Sequence, residues 1–301
     1  MSAPVTDLWY WAPFTEHDHS GGGWILGITA LIVILLVTAL RLILRRDVYG
    51  WDDAFICSAL MAYTAQHAMT FHALRLGLGR QSDLPEAEQD IAVAKAFLAS
   101  DVLAFAGHYL AKLSIAWFIR RLFFKNALVS PMACNYMLGG IVLCAVMSVT
   151  VAGVARFPLG ILQGQMSSAS TSHSWTAITA LDVLNELALA GIPTFLVVKI
   201  MKKGRQRTLV SVVFLSRLPL CAFSILHLTR VQLAVVDETN IMAHLLECSG
   251  TLEILLIWSL ISASIPALKS LVQPFNDIKE VTEEKGGSSQ RSQGVFFYRD
   301  R

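Results

Sequence analysis

Three stretches without a single Asp, Glu, Lys or Arg constrain this chain more than any other feature. They run from Gly21 to Leu40, from Ala54 to Leu74 and from Asn126 to Ala155. A helix needs about 20 mostly apolar residues to cross a bilayer. Such runs are too long for ordinary core strands, and in hydrocarbon the backbone must satisfy its own hydrogen bonds, which a helix does. Composition agrees: 54% of residues are hydrophobic and 15% charged, against roughly 25% charged in soluble domains. The net charge of +2 gives no reason to expect a nucleic-acid partner. The partner implied instead is the lipid bilayer.

The spacing of apolar runs predicts an all-α, polytopic membrane protein with seven transmembrane helices, near 22–43, 54–74, 96–119, 133–155, 176–198, 208–230 and 242–265. Residues 1–21 read as an extracellular or lumenal leader without a signal-peptide pattern. Its Trp9, Tyr10 and Trp11 suit an interface. Residues 22–270 form the seven-helix domain. Residues 271–301, polar and rich in Gly and Ser, read as a disordered tail. Eleven Lys and Arg fall in segments 41–53, 120–125 and 199–207, and five in the opposite ones. The positive-inside rule then puts the N-terminus outside and the C-terminus in the cytosol. The protein is expected in a multi-pass location, plasma membrane or endoplasmic reticulum.

Against this background Asp182 and Glu186 stand out in "TALDVLNELALAGIP". One charge facing lipid at mid-bilayer costs about 2.5–3.5 kcal/mol on insertion scales. At i, i+4 the two acids share a helix face, so they are expected to face the bundle interior. Asp101, His108 and Lys112 form a similar stripe on the third helix, and Glu253 sits on the seventh. By depth along each helix, Asp101, His108, Asp182, Glu186, His227, Arg230 and Glu253 are expected to line an outward-facing acidic pocket for a small hydrophobic ligand. Lys112 and Arg217 are expected deeper, with Lys112 free to reach cytosolic headgroups. The competing structural reading is that such groups only tie helices together.

Other patterns are weaker. Asp52 and Asp53 precede the second helix, where a helix-start role outweighs metal binding. "EHDHSGGG" lacks metal-ligand spacing, so no metal is expected. "RLGLGR" follows a helix and is no phosphate loop. The five cysteines lie in apolar runs and read as packing residues. Retinal needs a Schiff-base lysine, placed mid-way along helix 7 in seven-helix rhodopsins. Residues 242–265 contain none, and Lys269 lies past the end, so no cofactor is expected. Basic residues Lys202, Lys203 and Arg205 could contact a cytosolic protein partner.

The segments "RRDVYGWDDAFI", "LGLGRQ", "AKLSIAWFIRRL", "LDVLNELALAGIPTFLVVKIMKKGRQRTLVSVVFL", "DETN" and "IPALKSL" together resemble the fungal rhodopsin-like seven-helix membrane proteins, the family of the membrane protein encoded in the satratoxin gene cluster. The resemblance covers about 24–275. It implies seven spans, receptor-like members, and members encoded beside secondary-metabolite pathways. The family's motif positions map to Asp52, Asp53, Lys112, Ser114, Asp182, Pro193, Asp237 and Pro266. Gln81 stands where the family usually has His, the 156–175 loop has no cysteine, Glu253 lies farther from the closing proline than usual, and there is no cysteine-rich domain. The resemblance implies an accessory protein of secondary-metabolite biosynthesis. Two alternatives stay open: a receptor-like sensor, and a membrane-embedded acid-catalysed cyclase or isomerase using Asp182, Glu186 or Asp101.

Overall fold

The computed structural model describes residues 19–46, 49–80, 87–123, 131–163, 167–200, 204–237 and 241–292. Among these, every regular element is a helix: α1 Ser20–Leu44, α2 Trp51–Leu76, α3 Ala87–Phe123, α4 Pro131–Ala155, α5 Leu159–Leu162, α6 Ser168–Ile200, α7 Arg205–Leu215, α8 Leu218–Val236 and α9 Ile241–Ser292. The expected spans lie within these bounds, with two differences in pattern. The sixth span, expected as one helix, breaks between α7 and α8. Pro219 has no N–H to donate, and its ring would crowd the preceding turn, so Arg217 becomes the N-cap residue of α8. Helix α9 continues through Pro266 to Ser292, so the part of the tail expected to lack regular structure that is described here is helical; its Lys and Glu residues are good helix formers. Trp9, Tyr10 and Trp11 lie outside the described residues.

Among the described residues, six helical stretches are long and apolar enough to cross a membrane: Ser20–Leu44, Glu88–Leu122, Cys134–Leu162, Ser168–Lys199, Arg207–Val236 and Ile241–Pro266. Their apolar outer faces imply a bilayer. Ile25, Ile32, Leu36, Leu143, Val146, Val154, Leu184, Phe195 and Val212 are all exposed, a surface that would aggregate in water. The interior holds the opposite: Arg41, Arg45, Asp52, Asp53, Asp101, Lys112, Asp182, Glu186, Arg217 and Glu253 are all buried. Apolar groups face outward and charges inward, as expected where the solvent is hydrocarbon.

Helices α3 and α9 form the centre of the bundle. About two thirds of the most apolar α3 window is buried, against 17% of the α4 one. Helix α2 packs closely on α3, burying Ile56, Ala59, Tyr63, Gln66, His67, Thr70, Ala73 and Leu74 at intervals of one to four residues. That spacing marks one face of a helix. The contact is tight because Gly107 has no side chain: a Cβ there would lie 2.5 Å from the Tyr63 ring. The α2 C-terminus ends on Gly77 in the left-handed region, φ 117°, which explains the glycines of "RLGLGR" as a helix stop.

Candidate functional site

The acids of α6 do face inward, and each meets cations. Lys112 Nζ lies 2.7 Å from Asp182 Oδ1 and 3.3 Å from Glu186 Oε1. Arg217 donates to Glu186 twice, from Nε to Oε2 and from Nη2 to Oε1, each at 2.8 Å. The fork matches the carboxylate plane, the geometry that makes arginine the better buried partner. Two carboxylates thus face one ammonium and one guanidinium. His108 Nε2 lies 2.9 Å from Asp182 Oδ1, with Ser259 Oγ 2.9 Å from its Nδ1. A carboxylate only accepts, so Nε2 carries the hydrogen. Ser224 donates to Asp182 Oδ2 at 2.6 Å, and Arg217 to Ser262 Oγ at 3.3 Å. The network joins α3, α6, α8 and α9.

Local structure explains the placement. His108 and Lys112 are one turn apart on α3, as are Asp182 and Glu186 on α6, so each pair presents one ladder to the other. The break before α8 sets Arg217 at the level of Glu186. Lys112, expected to be free to reach headgroups, is fully buried beside Asp182. Asp182 and Glu186 supply the anions that its ammonium would otherwise meet among headgroup phosphates.

A cavity lies beside this network, between α3, α6, α8 and α9. Apolar side chains supply most of its wall, among them Phe105, Ile178, Leu252 and Leu256, while His108, Thr179, Asp182, Ser224 and His227 supply polar groups. It has about 20 Å³ of room for the centre of a water molecule, enough for one water by volume. His227 is buried, with Nδ1 3.1 Å from Thr251 Oγ1 and the ring edge-on to Trp175. Its Nε2 has no hydrogen-bond partner.

The family model of the fungal rhodopsin domain matches residues 37–274, most of the chain. The protein belongs to the fungal rhodopsin family. No curated protein and no solved structure matches it. The fungal rhodopsin domain begins in the second half of α1 and reaches along α9, so it includes every charged residue of the network.

The seven residues expected to share one pocket in this fungal rhodopsin domain are distributed among several places. His108, Asp182 and His227 line the central cavity. Glu186 sits behind them, held by Arg217. Glu253 lines a separate cavity with α1 and α2. Asp101 is buried with Oδ2 unpartnered and lines neither cavity. Arg230 pairs with Glu247 at 2.8 Å on the surface, both side chains largely exposed. Helix periodicity assigns a face within one helix, but not which helix that face meets. Lys202 and Lys203 lie outside the described residues, and Arg205 is exposed at the start of α7.

Two features escaped sequence reasoning. Ser224, Ser259, Ser262 and Thr179 are polar neighbours of the network and cavity that carry no distinctive pattern in an apolar helix. Asp52 and Asp53 belong to a second ionic cluster: Arg41 lies 3.2 Å from Asp52 and 3.1 Å from Asp53, Arg45 contacts both, and Arg121 is 3.6 Å from Asp52. Asp53 also accepts from the Gly50 backbone N–H at 3.1 Å, a helix-capping contact. Arg41 Nη1 reaches the Ala263 carbonyl at 2.8 Å. This cluster ties α1, α2, α3 and α9 together at one end of the bundle. The helix-start role expected of Asp52 and Asp53 is thus joined to ion pairing.

Proposed function

We propose that this fungal rhodopsin-domain protein crosses the membrane seven times, with the N-terminus outside and the tail in the cytosol. Its central cavity, which has room for about one water, would have to widen to bind a small, mainly apolar molecule carrying one hydrogen-bond donor. The seventh span is α2. Its 26 residues would extend about 39 Å at 1.5 Å per residue, and its buried polar residues Gln66, His67 and Thr70 face α3 and α9. The orientation rests on the lysine and arginine bias.

The observation that carries the binding reading is His227: a buried imidazole lining the cavity with Nε2 unpartnered. An unpaired buried polar atom costs free energy; Thr251 Oγ1 donates to the Cys248 carbonyl and so accepts from His227 Nδ1, which leaves Nε2 an acceptor that a ligand hydroxyl could pair with. The apolar wall suits the remainder of a hydrophobic metabolite. An accessory role in secondary-metabolite production follows from that ligand class and from the resemblance to cluster-encoded relatives. The test is stabilisation of the purified protein by cyclohexanol compared with cyclohexanone and cyclohexane. Cyclohexanol should raise the unfolding temperature most, and His227→Phe should abolish its advantage. Equal effects of all three, in both proteins, would remove the proposal. Deleting the gene should alter the cell's profile of hydrophobic metabolites; an unchanged profile would remove the accessory role.

A receptor-like reading draws on one further observation. From the cavity floor at Asp182, contacts run through Lys112, Glu186 and Arg217 to Ser262. The next residue, Ala263, accepts from Arg41 in the second ionic cluster. Spatial continuity is not itself coupling, but it provides an element that a ligand could bias. The cyclase or isomerase reading has less support. Asp182 and Glu186 are already committed to cations, so acid catalysis by either would first require breaking an ion pair, which leaves Asp101 as its candidate.

A further inference from the structure

Helix α2 meets α9 through a further pair of ionisable side chains, His67 and Glu253, both buried. His67 Nδ1 lies 2.8 Å from the Tyr63 carbonyl. A carbonyl oxygen only accepts, so Nδ1 carries a hydrogen. A neutral imidazole has one ring hydrogen, which would leave Nε2 a bare lone pair. Yet Nε2 lies 3.1 Å from Glu253 Oε2. A lone pair and an ionised carboxylate oxygen repel at that distance, and neither atom has another partner to offset the repulsion. The contact is attractive only with one more proton, on Nε2 or on the carboxyl group. Either form, imidazolium with carboxylate or imidazole with carboxylic acid, has no net charge, as burial favours.

The surroundings offer no substitute for that proton. Gln66 Nε2 donates to Glu253 Oε1 at 2.9 Å, which holds the carboxyl group but does not reach Oε2. Among the described residues, no lysine or arginine lies within ion-pairing distance of Glu253. Helix α3 adds an acid, Asp101, next to the Ser100 that contacts Gln66. Helix α8 turns His227 toward Thr251 and Arg230 toward Glu247. His19, before α1, is exposed at the outer end of the helix.

Water can reach the pair. Glu253 lines the cavity between α1, α2 and α9, in which about 230 Å³ can hold the centre of a water molecule. One water needs about 10–15 Å³ by that measure. Gly22, Gly23 and Gly27 of α1 and Gly250 of α9 leave this room. Polar groups stand along it: His19 and Glu247 exposed where α1 starts, and Thr70, Ser249 and Glu253 buried. Glu253, six residues along α9 from Glu247, is about 9 Å deeper.

We infer that the His67–Glu253 pair is a proton-binding site reached by water through the α1–α2–α9 cavity, and that its proton joins α2 to α9. Binding moves one proton from cavity water to the pair. Release returns it to water and leaves neutral His67 against ionised Glu253. In the unfolded chain, above about pH 6.5, His67 is neutral and Glu253 ionised. The folded protein therefore holds one proton more, and the stability this contact supplies is present at low pH and lost as pH rises.

The test is unfolding of the full chain by SDS in mixed micelles, from about pH 7 to about pH 10. The folding constant of the unmodified protein should fall at least tenfold over that range. Glu253→Gln should remove the fall, because its amide can donate to Nε2 of neutral His67 and needs no added proton. A merely structural role would instead shift stability by the same amount at every pH. His227→Phe should leave the fall in place, which separates this site from the central cavity. A folding constant that holds or rises with pH in the unmodified protein would overturn the inference whether or not the variants fold. So would a folded Glu253→Gln protein with unchanged pH dependence.

Discussion

Breaking the Arg217–Glu186 pair is the perturbation whose cost follows most directly from the geometry. Both side chains are wholly buried and linked by two contacts of 2.8 Å. Unit charges about 4 Å apart attract by about 4 kcal/mol at an effective dielectric of about 20. That attraction offsets a desolvation cost of several kcal/mol for each ion. Arg217→Met removes the attraction and leaves Glu186 with Lys112 alone, at 3.3 Å and already shared with Asp182. Removing one partner of a buried pair costs about 3–5 kcal/mol. Glu186→Leu should cost about the same, since it strands the guanidinium. The double variant removes both charges and leaves Lys112 opposite Asp182, a neutral pair. Its cost should be below about 2 kcal/mol, far less than the sum of the single costs. Unfolding titrations with SDS in mixed micelles would give the three free energies. Single costs below about 0.5 kcal/mol, or a double cost equal to their sum, would refute the reasoning, because independent sites add to within about 0.5 kcal/mol.

Further expectations concern other parts of the bundle. Gly107→Leu should destabilise the protein by at least about 1–3 kcal/mol through overpacking against Tyr63, read in the same titration; a neutral effect would contradict the close α2–α3 approach. Asp53→Ala should destabilise by about 3–5 kcal/mol by leaving buried Arg41 and Arg45 short of one carboxylate, with a smaller loss for Asp53→Asn because the amide oxygen can still accept from Gly50. A cysteine introduced at Arg205 should react with membrane-impermeant maleimide only from the cytosolic face, and one at Glu88 only from the other. Labelling of both from one side would contradict the proposed topology.

The positions of the helices were legible because charge-free runs and polar breaks carry them directly. The inward turn of Asp182 and Glu186 was legible for the same reason: their i, i+4 spacing and the cost of charge in lipid leave few alternatives. The identity of their partners was not. Lys112 shares a stripe with His108, yet the stripe does not say that α6 faces it. Arg217 depends on a helix break that Pro219 signals, but the proline does not reveal which carboxylate the break brings within reach. The expected single acidic pocket was too coarse for a similar reason. Asp182 shares His108 with Ser259 of α9, and Glu253 stands six residues, about 9 Å, along that helix, so the two acids sit at different levels and line different cavities. Asp52 and Asp53 were legible as a helix start from sequence position. Their ion pairs with Arg41 and Arg45 depend on the end of α1 lying against the start of α2, which sequence position does not state.

The central claim is that α6 turns its charges inward and its apolar residues toward lipid. Spin labels placed singly from Trp175 to Gly191 and probed with oxygen, which concentrates in acyl chains, test it most directly. Accessibility should oscillate with the helical repeat, with maxima at Thr176, Ala180, Leu184, Leu187 and Gly191 and minima at Ile178, Asp182, Asn185, Glu186 and Leu189. Maxima at Asp182 and Glu186, or a flat profile along the helix, would contradict it.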